Sequence, residues 1–243
     1  MNNNKKQAKK IGFPIILMLA GIGISILFIF FFTKIAEEIL EQEVHAFDTT
    51  IIDFLKSIES SILDQIMIFV TELGSVWFLA LCSVISIITL WFKYNDKWGI
   101  LLFIIGIGGG GLLTKLLKYY YERGRPSINP EIDAIGYSFP SGHSMGSLIF
   151  YGFVTYFIVR SGTKRPMKWM TILVAGILVL LIGITRIYLG AHFPSDVLAG
   201  HLAGAIWLIL SILSLEWVEW QSGNSIRPIK EVRRFLKHHF EKG

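Results

Sequence analysis

Six stretches of the chain contain no Lys, Arg, Asp or Glu and are almost wholly apolar: residues 11–33, 76–92, 98–114, 144–159, 169–185 and 197–215. A helix needs about 20 such residues to cross the hydrocarbon core of a bilayer, and somewhat fewer where its polar ends continue the helix. The pattern predicts an all-α polytopic membrane protein with six transmembrane helices. The first stretch is longer than the roughly 7–15 residues of a signal h-region, and no small-residue cleavage site follows, so it reads as a retained span.

Between the first two spans the pattern changes. Within residues 35–63, Ile51, Ile52, Leu55, Ile58 and Ile62 recur at helical spacing with charges between them. This predicts an amphipathic helix, lying either in the outer membrane interface or across its own bundle. After the sixth span, residues 226–237 alternate cations with Ile229, Val232, Phe235 and Leu236, a basic tail suited either to anionic inner-leaflet lipid or to simple solvation. The expected organisation is a six-span domain over residues 1–220 and a basic cytoplasmic tail over 221–243.

Composition agrees: 53% of residues are hydrophobic and 17% charged, against about 25% charged in ordinary soluble domains. The net charge of +5 would suggest nucleic acid were the cations not grouped between apolar runs. Lys5, Lys6, Lys9 and Lys10 precede the first span. Lys93 and Lys97 separate the second from the third, and Arg160, Lys164, Arg165 and Lys168 the fourth from the fifth. Arg227, Lys230, Arg233, Arg234 and Lys237 follow the sixth. The positive-inside rule assigns all four clusters, and both termini, to the cytoplasm of a cell membrane. The connection carrying Glu37, Glu38, Glu41, Glu43, Asp48, Asp53 and Glu59 is then outward, as are residues 115–143 and 186–196. Nucleic acid is not an expected partner. The single Cys82 lies in an apolar run and supports neither a disulfide framework nor a cysteine metal site.

The outward connections hold three polar clusters. In Lys118–Pro126, Lys118 supplies a point charge and Arg125 a planar fork, a pairing suited to a multiply charged oxyanion, and Pro126 stiffens the loop. Cations and the Tyr119–Tyr121 run at a span end also suit simple snorkelling and an aromatic belt. In Pro140-Ser141-Gly142-His143-Ser144, Pro and Ser are helix-start residues. Gly142 permits close approach of a ligand to backbone N–H groups at a helix N-terminus, where phosphate is favoured, and His143 adds a proton donor. In residues 185–196, Arg186 ends the fifth span, Pro194 sets the first turn of the sixth helix, and His192 stands just ahead of Asp196. A carboxylate near an imidazole fixes its tautomer and raises its basicity, as a histidine nucleophile requires.

Lys118-x6-Arg125-Pro126, Pro140-Ser141-Gly142-His143 and Thr185-Arg186-x5-His192-x3-Asp196 together resemble the three signature motifs of the type 2 phosphatidic acid phosphatases, a superfamily that includes the vanadium haloperoxidases. Order and spacing match. One position departs: the third motif usually begins with Ser, and Thr185 stands there, keeping the hydroxyl. The resemblance implies a metal-independent phosphatase without cofactor, working through a phosphohistidine. His192 would attack phosphorus, oriented by Asp196, and His143 would serve as acid and then base. Lys118, Arg125, Arg186, Ser141 and the Gly142 N–H would hold the phosphoryl group. The sequence offers no carboxylate cluster for a two-metal site, in keeping with a metal-free route. A site at headgroup depth admits a membrane lipid phosphate or diphosphate: phosphatidylglycerol phosphate, phosphatidic acid or undecaprenyl diphosphate. A lipid-linked phosphotransferase and a non-catalytic transporter or scaffold are the alternatives.

Other signals are discounted. Gly106-x-Gly108-x-x-Gly111 has the form of a dinucleotide fingerprint but lies inside an apolar span without a preceding strand. Gly106 and Gly110, like Gly200 and Gly204, are expected to allow close helix packing. His201, the ionisable residue inside a span, is a candidate for a substrate or proton role. Glu122 and Arg123 are expected to pair with each other.

Overall fold

The structure is a computed structural model that describes residues 2–41, 43–126 and 136–221, with side chains from residue 15 onward. The basic tail expected beyond residue 221 lies outside the described residues. Eight α-helices are described: α1 (Asn2–Leu40), α2 (His45–Ser57), α3 (Ser61–Glu72), α4 (Val76–Thr89), α5 (Lys97–Tyr121), α6 (Gly142–Arg160), α7 (Arg165–Tyr188) and α8 (Pro194–Gln221). A π-helical turn, Leu90–Tyr94, continues α4. Among the described residues six spans are long and apolar enough to cross a membrane, the second being α4 with its π-helical turn, and they fall on the six predicted stretches.

Local chemistry sets the helix starts. The side chains of Ser60, Ser75, Asp96 and Ser141 accept the N–H three residues on, capping α3, α4, α5 and α6. Proline stands in the first turn of α7 and opens α8. Helix ends run past the apolar stretches: α5 reaches Tyr121, so Lys118 sits in its last turn, and α7 reaches Tyr188, carrying Arg186. Cations end an apolar stretch but not a helix, since Lys and Arg propagate helix well.

The region between the first two spans forms two helices rather than one. Both α2 and α3 pack on α7, and α2 also on α8, so this segment lies over its own bundle. Ile51, Ile52 and Leu55 are half-buried, whereas Ile58 and Ile62 are exposed, because the chain turns between α2 and α3.

Helix α8 is the central packing element, against α6, α1 and α5. Phe103, Met145, Ile149, Phe150 and Phe153 form the core on α5 and α6. Glycines allow this closeness: a Cβ on Gly106 would overlap Phe153, and one on Gly110 would overlap Ile149. A Cβ on Gly200 would stand 2.7 Å from the Ser141 carbonyl oxygen, and one on Gly204 3.0 Å from that of Met145. Large apolar side chains such as Trp77, Phe92 and Leu180 point outward, as lipid-facing residues do.

Candidate active site

Alternation of the spans brings the last turns of α5 and α7 to the same end as the first turns of α6 and α8. All three polar clusters meet there. The Ser141 N–H donates to the Asp196 carbonyl at 3.0 Å, joining the start of α6 to the start of α8.

His192 lies in the short α7–α8 turn, whose Ala191 and His192 N–H groups both donate to the Arg186 carbonyl at 3.0 Å. The ring is buried, with Nδ1 3.5 Å from Asp196 Oδ2, a contact looser than a formed hydrogen bond. Its Nε2 faces Arg125 Nη1 at 3.4 Å. Burial lowers the imidazole pKa to about 4; Asp196 pulls the other way, and the Lys118 and Arg186 charges add to the lowering. His192 is therefore neutral at ordinary pH. With Nδ1–H assigned toward Asp196, the Nε2 lone pair faces the cations.

Those cations are held by backbone. Lys118 Nζ donates to the Tyr137 carbonyl and, at 3.4 Å, to that of Ser138. Arg125 donates to the carbonyls of Gly136 (2.9 Å), Tyr137 (3.2 Å) and Ala191 (2.6 Å). Arg186 is buried, with Nη1 donating to Thr71 Oγ1 at 2.9 Å and a buried Nε that has no hydrogen-bond partner. Nitrogens so placed suit an anion at the focus of the three cations. Among the described residues, no group of three His, Cys, Asp or Glu side chains converges as a metal site.

At the start of α6, Ser141 accepts from the Ser144 N–H (3.4 Å) and hydroxyl (3.0 Å), leaving its own hydroxyl proton to donate. The N–H groups of Gly142 and His143 precede the helical ladder. A Cβ on Gly142 would meet only Thr114, at 3.5 Å, so packing of the protein does not itself require glycine there. The imidazole of His143 lies within the fields of Arg186, His192, Lys118 and Arg125.

All the predicted site residues thus gather at one end of the bundle. Thr185 does not join them: its buried hydroxyl donates to the Ile182 carbonyl at 2.6 Å within α7. His201 also stands apart, packed over Gly183 of α7, with a buried Nε2 that has no hydrogen-bond partner.

The expected Glu122–Arg123 pair does not form. Glu122 caps α5 in the left-handed region (φ 46°) and accepts from the Tyr137 hydroxyl. Arg123 turns inward, 2.6 Å from Asp196 Oδ1 and 2.8 Å from Asp48 Oδ2. Two buried carboxylates outcompete one exposed neighbour for the guanidinium, since unpaired they would carry the full cost of burial. Sequence reading placed Asp48 only among outward acids. One signal was available: Asp48, Ile51, Ile52 and Leu55 follow helical spacing, so an acid sits on the apolar stripe of α2 and needs a partner.

Comparison with known proteins gives the family. Residues 97–220 match the PAP2 superfamily. Phosphatidylglycerophosphatase B of Bacillus subtilis is 36% identical over 181 residues, covering 74% of this chain and 89% of the relative. An undecaprenyl-diphosphatase of Sulfolobus acidocaldarius is 30% identical over 209 residues, covering 81% and 87%. The crystal structure of the transmembrane PAP2-type phosphatidylglycerolphosphate phosphatase from Bacillus subtilis superposes with a TM-score of 0.71 at 34% identity, covering 77% of this chain and 94% of that one. With six apolar spans, three motifs converging at one end of them, and this similarity along most of its length, the chain is a multi-pass membrane protein of the PAP2 superfamily.

Proposed function

We propose that the chain hydrolyses the phosphomonoester or diphosphate of a membrane lipid through a phosphohistidine on His192. The observation that carries this reading is the placement of His192: buried, neutral, with Asp196 behind Nδ1 and the Arg125 guanidinium in front of Nε2. The Nε2 lone pair attacks phosphorus as the bond from phosphorus to the leaving oxygen breaks. Asp196 stabilises the imidazolium charge that develops on the His192 ring. His143, as imidazolium beside the bound phosphate, gives its proton to the leaving oxygen. Now neutral, it takes one from the water that attacks phosphorus, which breaks the phosphorus–nitrogen bond, releases phosphate and restores His192. Lys118, Arg125 and Arg186, with the Ser141 hydroxyl and Gly142 N–H, bind the phosphoryl oxygens, where charge grows in the transition state.

Location favours a lipid substrate. The site lies at one end of six apolar helices, where a headgroup reaches it while acyl or prenyl chains stay in the bilayer. The two relatives named above act on phosphatidylglycerol phosphate and undecaprenyl diphosphate by name, and these with phosphatidic acid are the candidate substrates. The basic α4–α5 and α6–α7 turns lie at the opposite end, so the positive-inside rule puts both termini in the cytoplasm and the site on the outer face of the cell membrane. The reading extends this phosphatase unit over residues 1–220, with 221–243 a basic cytoplasmic tail.

The test is phosphate release from those three lipids by purified protein in detergent with a chelator present. Release is expected, and His192→Ala should abolish both turnover and an acid-labile phosphoenzyme. Near-normal turnover by that variant overturns the nucleophile assignment. Phosphate arriving on a second lipid or sugar instead of in solution identifies a phosphotransferase.

A further inference from the structure

We propose that Arg123 and Asp48 are positioning residues for the His192–Asp196 pair, which makes helix α2 part of the catalytic apparatus. The inference rests on the reading of His192 as nucleophile and goes beyond it in naming what holds the pair.

One guanidinium serves two buried carboxylates. Arg123 Nη1 donates to Asp196 Oδ1 at 2.6 Å and to Ser195 Oγ at 2.8 Å, while Nη2 donates to Asp48 Oδ2 at 2.8 Å. Asp48, 1% exposed, also accepts from the Ser195 N–H at 2.9 Å and from its hydroxyl at 2.7 Å, so a helix 147 residues earlier caps the start of α8. The guanidinium stacks on the Phe193 ring, 4.1 Å from its centroid. Arg123 is thus held by Asp48, Ser195, Asp196 and the Phe193 ring.

The consequence is geometric and electrostatic. With Oδ1 of Asp196 taken by Arg123, Oδ2 is left for the Phe193 N–H (2.9 Å) and His192 Nδ1 (3.5 Å). Rotation of the carboxylate away from the imidazole would break the Arg123 contact. Arg123 also offsets part of the Asp196 charge, so the carboxylate orients His192 without drawing a proton onto it. Asp48 keeps the guanidinium in place, since a buried cation needs its own partner. The match to the superfamily begins at residue 97, so Asp48 and all of α2 lie outside it.

The test uses the full-length protein in detergent micelles, with phosphatidic acid as probe and released phosphate as readout. Arg123→Gln should lower kcat on the order of 10- to 100-fold, the scale found for outer partners of carboxylate–histidine pairs in metal sites, with KM within about twofold. Its acid limb should move to higher pH, because a less neutralised Asp196 favours imidazolium. The other groups facing His192 stay in place: Lys118 of α5, Arg125 of the following loop, His143 of α6 and Arg186 of α7. Arg123→Lys keeps the charge without the fork, so the wild-type limb should return with only part of kcat. On an Asp196→Asn background, Arg123→Gln should change kcat by less than about threefold, since its route of action is gone.

Multiplying effects in that double variant, or equal losses in Arg123→Gln and Arg123→Lys with an unmoved pH profile, overturn the proposal. If Arg123→Gln does not fold, Asp48→Asn carries the same cycle: kcat should fall at constant KM, and the fall should vanish with Asp196→Asn. An active His192→Ala overturns both this inference and the nucleophile reading; an inactive one with multiplying effects overturns this inference alone.

Discussion

His192 shows how much of the chemistry is set by where one side chain is buried. Free imidazole titrates near 6.5, and burial here takes the group to about 4 despite the carboxylate beside it. Between those values the unfolded chain binds a proton that the folded chain refuses. This contribution to stability is intact above pH 6.5, declines as pH falls toward 4, and amounts to roughly 3 kcal/mol at most. Thermal melts at pH 7 and pH 4.5 should therefore show a larger loss for wild type than for His192→Asn. Equal losses would mean that His192 is not held neutral. The acid limb of kcat/KM due to this group is likewise expected well below 6.5. Thr185 gives the opposite lesson: its hydroxyl is engaged within its own helix, so here it supports α7 rather than facing the cluster of cations.

Among the elements, the start of α6 depends on α8 beneath it. Gly200 lies under Ser141, and an added Cβ would stand 2.7 Å from a backbone carbonyl and 3.1 Å from Ser144 Cβ. Backbone cannot yield as a flexible side chain can, so Gly200→Ala must shift the Pro140–His143 turn. A displacement of about 1 Å in positioning groups can reduce rate 100-fold. The variant should remain folded in detergent while kcat/KM falls tenfold or more, measured by phosphate release; wild-type kinetics would show that the turn tolerates the shift. Helix α3 has a comparable role for Arg186, through Thr71, and for the end of α7, where the Tyr188 hydroxyl donates to Asp64 at 2.6 Å.

Across the whole molecule the two ends of the bundle are held by separate polar networks. At the end remote from the site, Arg160 of α6 pairs with Glu219 of α8 and lies 3.5 Å from Asp96 at the start of α5. Tyr156 donates to Glu216 at 2.5 Å beside them. Removing one partner of a buried pair typically costs 3–5 kcal/mol, because the other charge is left uncompensated. Arg160→Ala is expected to lower the detergent melting temperature clearly while the folded fraction keeps its KM. A changed KM with unchanged melting would mean that the two ends are coupled.

The sequence by itself determined the spans, the alternation that sends three polar clusters to one end, and the identity of the residues gathered there. It could do so because bilayer insertion is governed by local apolar length and flanking charge, and because the three motifs have fixed internal spacings. Only the tertiary structure decided which charges meet. Arg123 bypasses Glu122, its immediate neighbour, for Asp48 and Asp196, which lie 75 and 73 residues away. Ion pairing depends on burial and distance, quantities that linear spacing does not carry for contacts between helices. The same reason hid the place of α2. Its apolar stripe was legible, but the acid within that stripe found its meaning only where three elements fold onto one carboxylate.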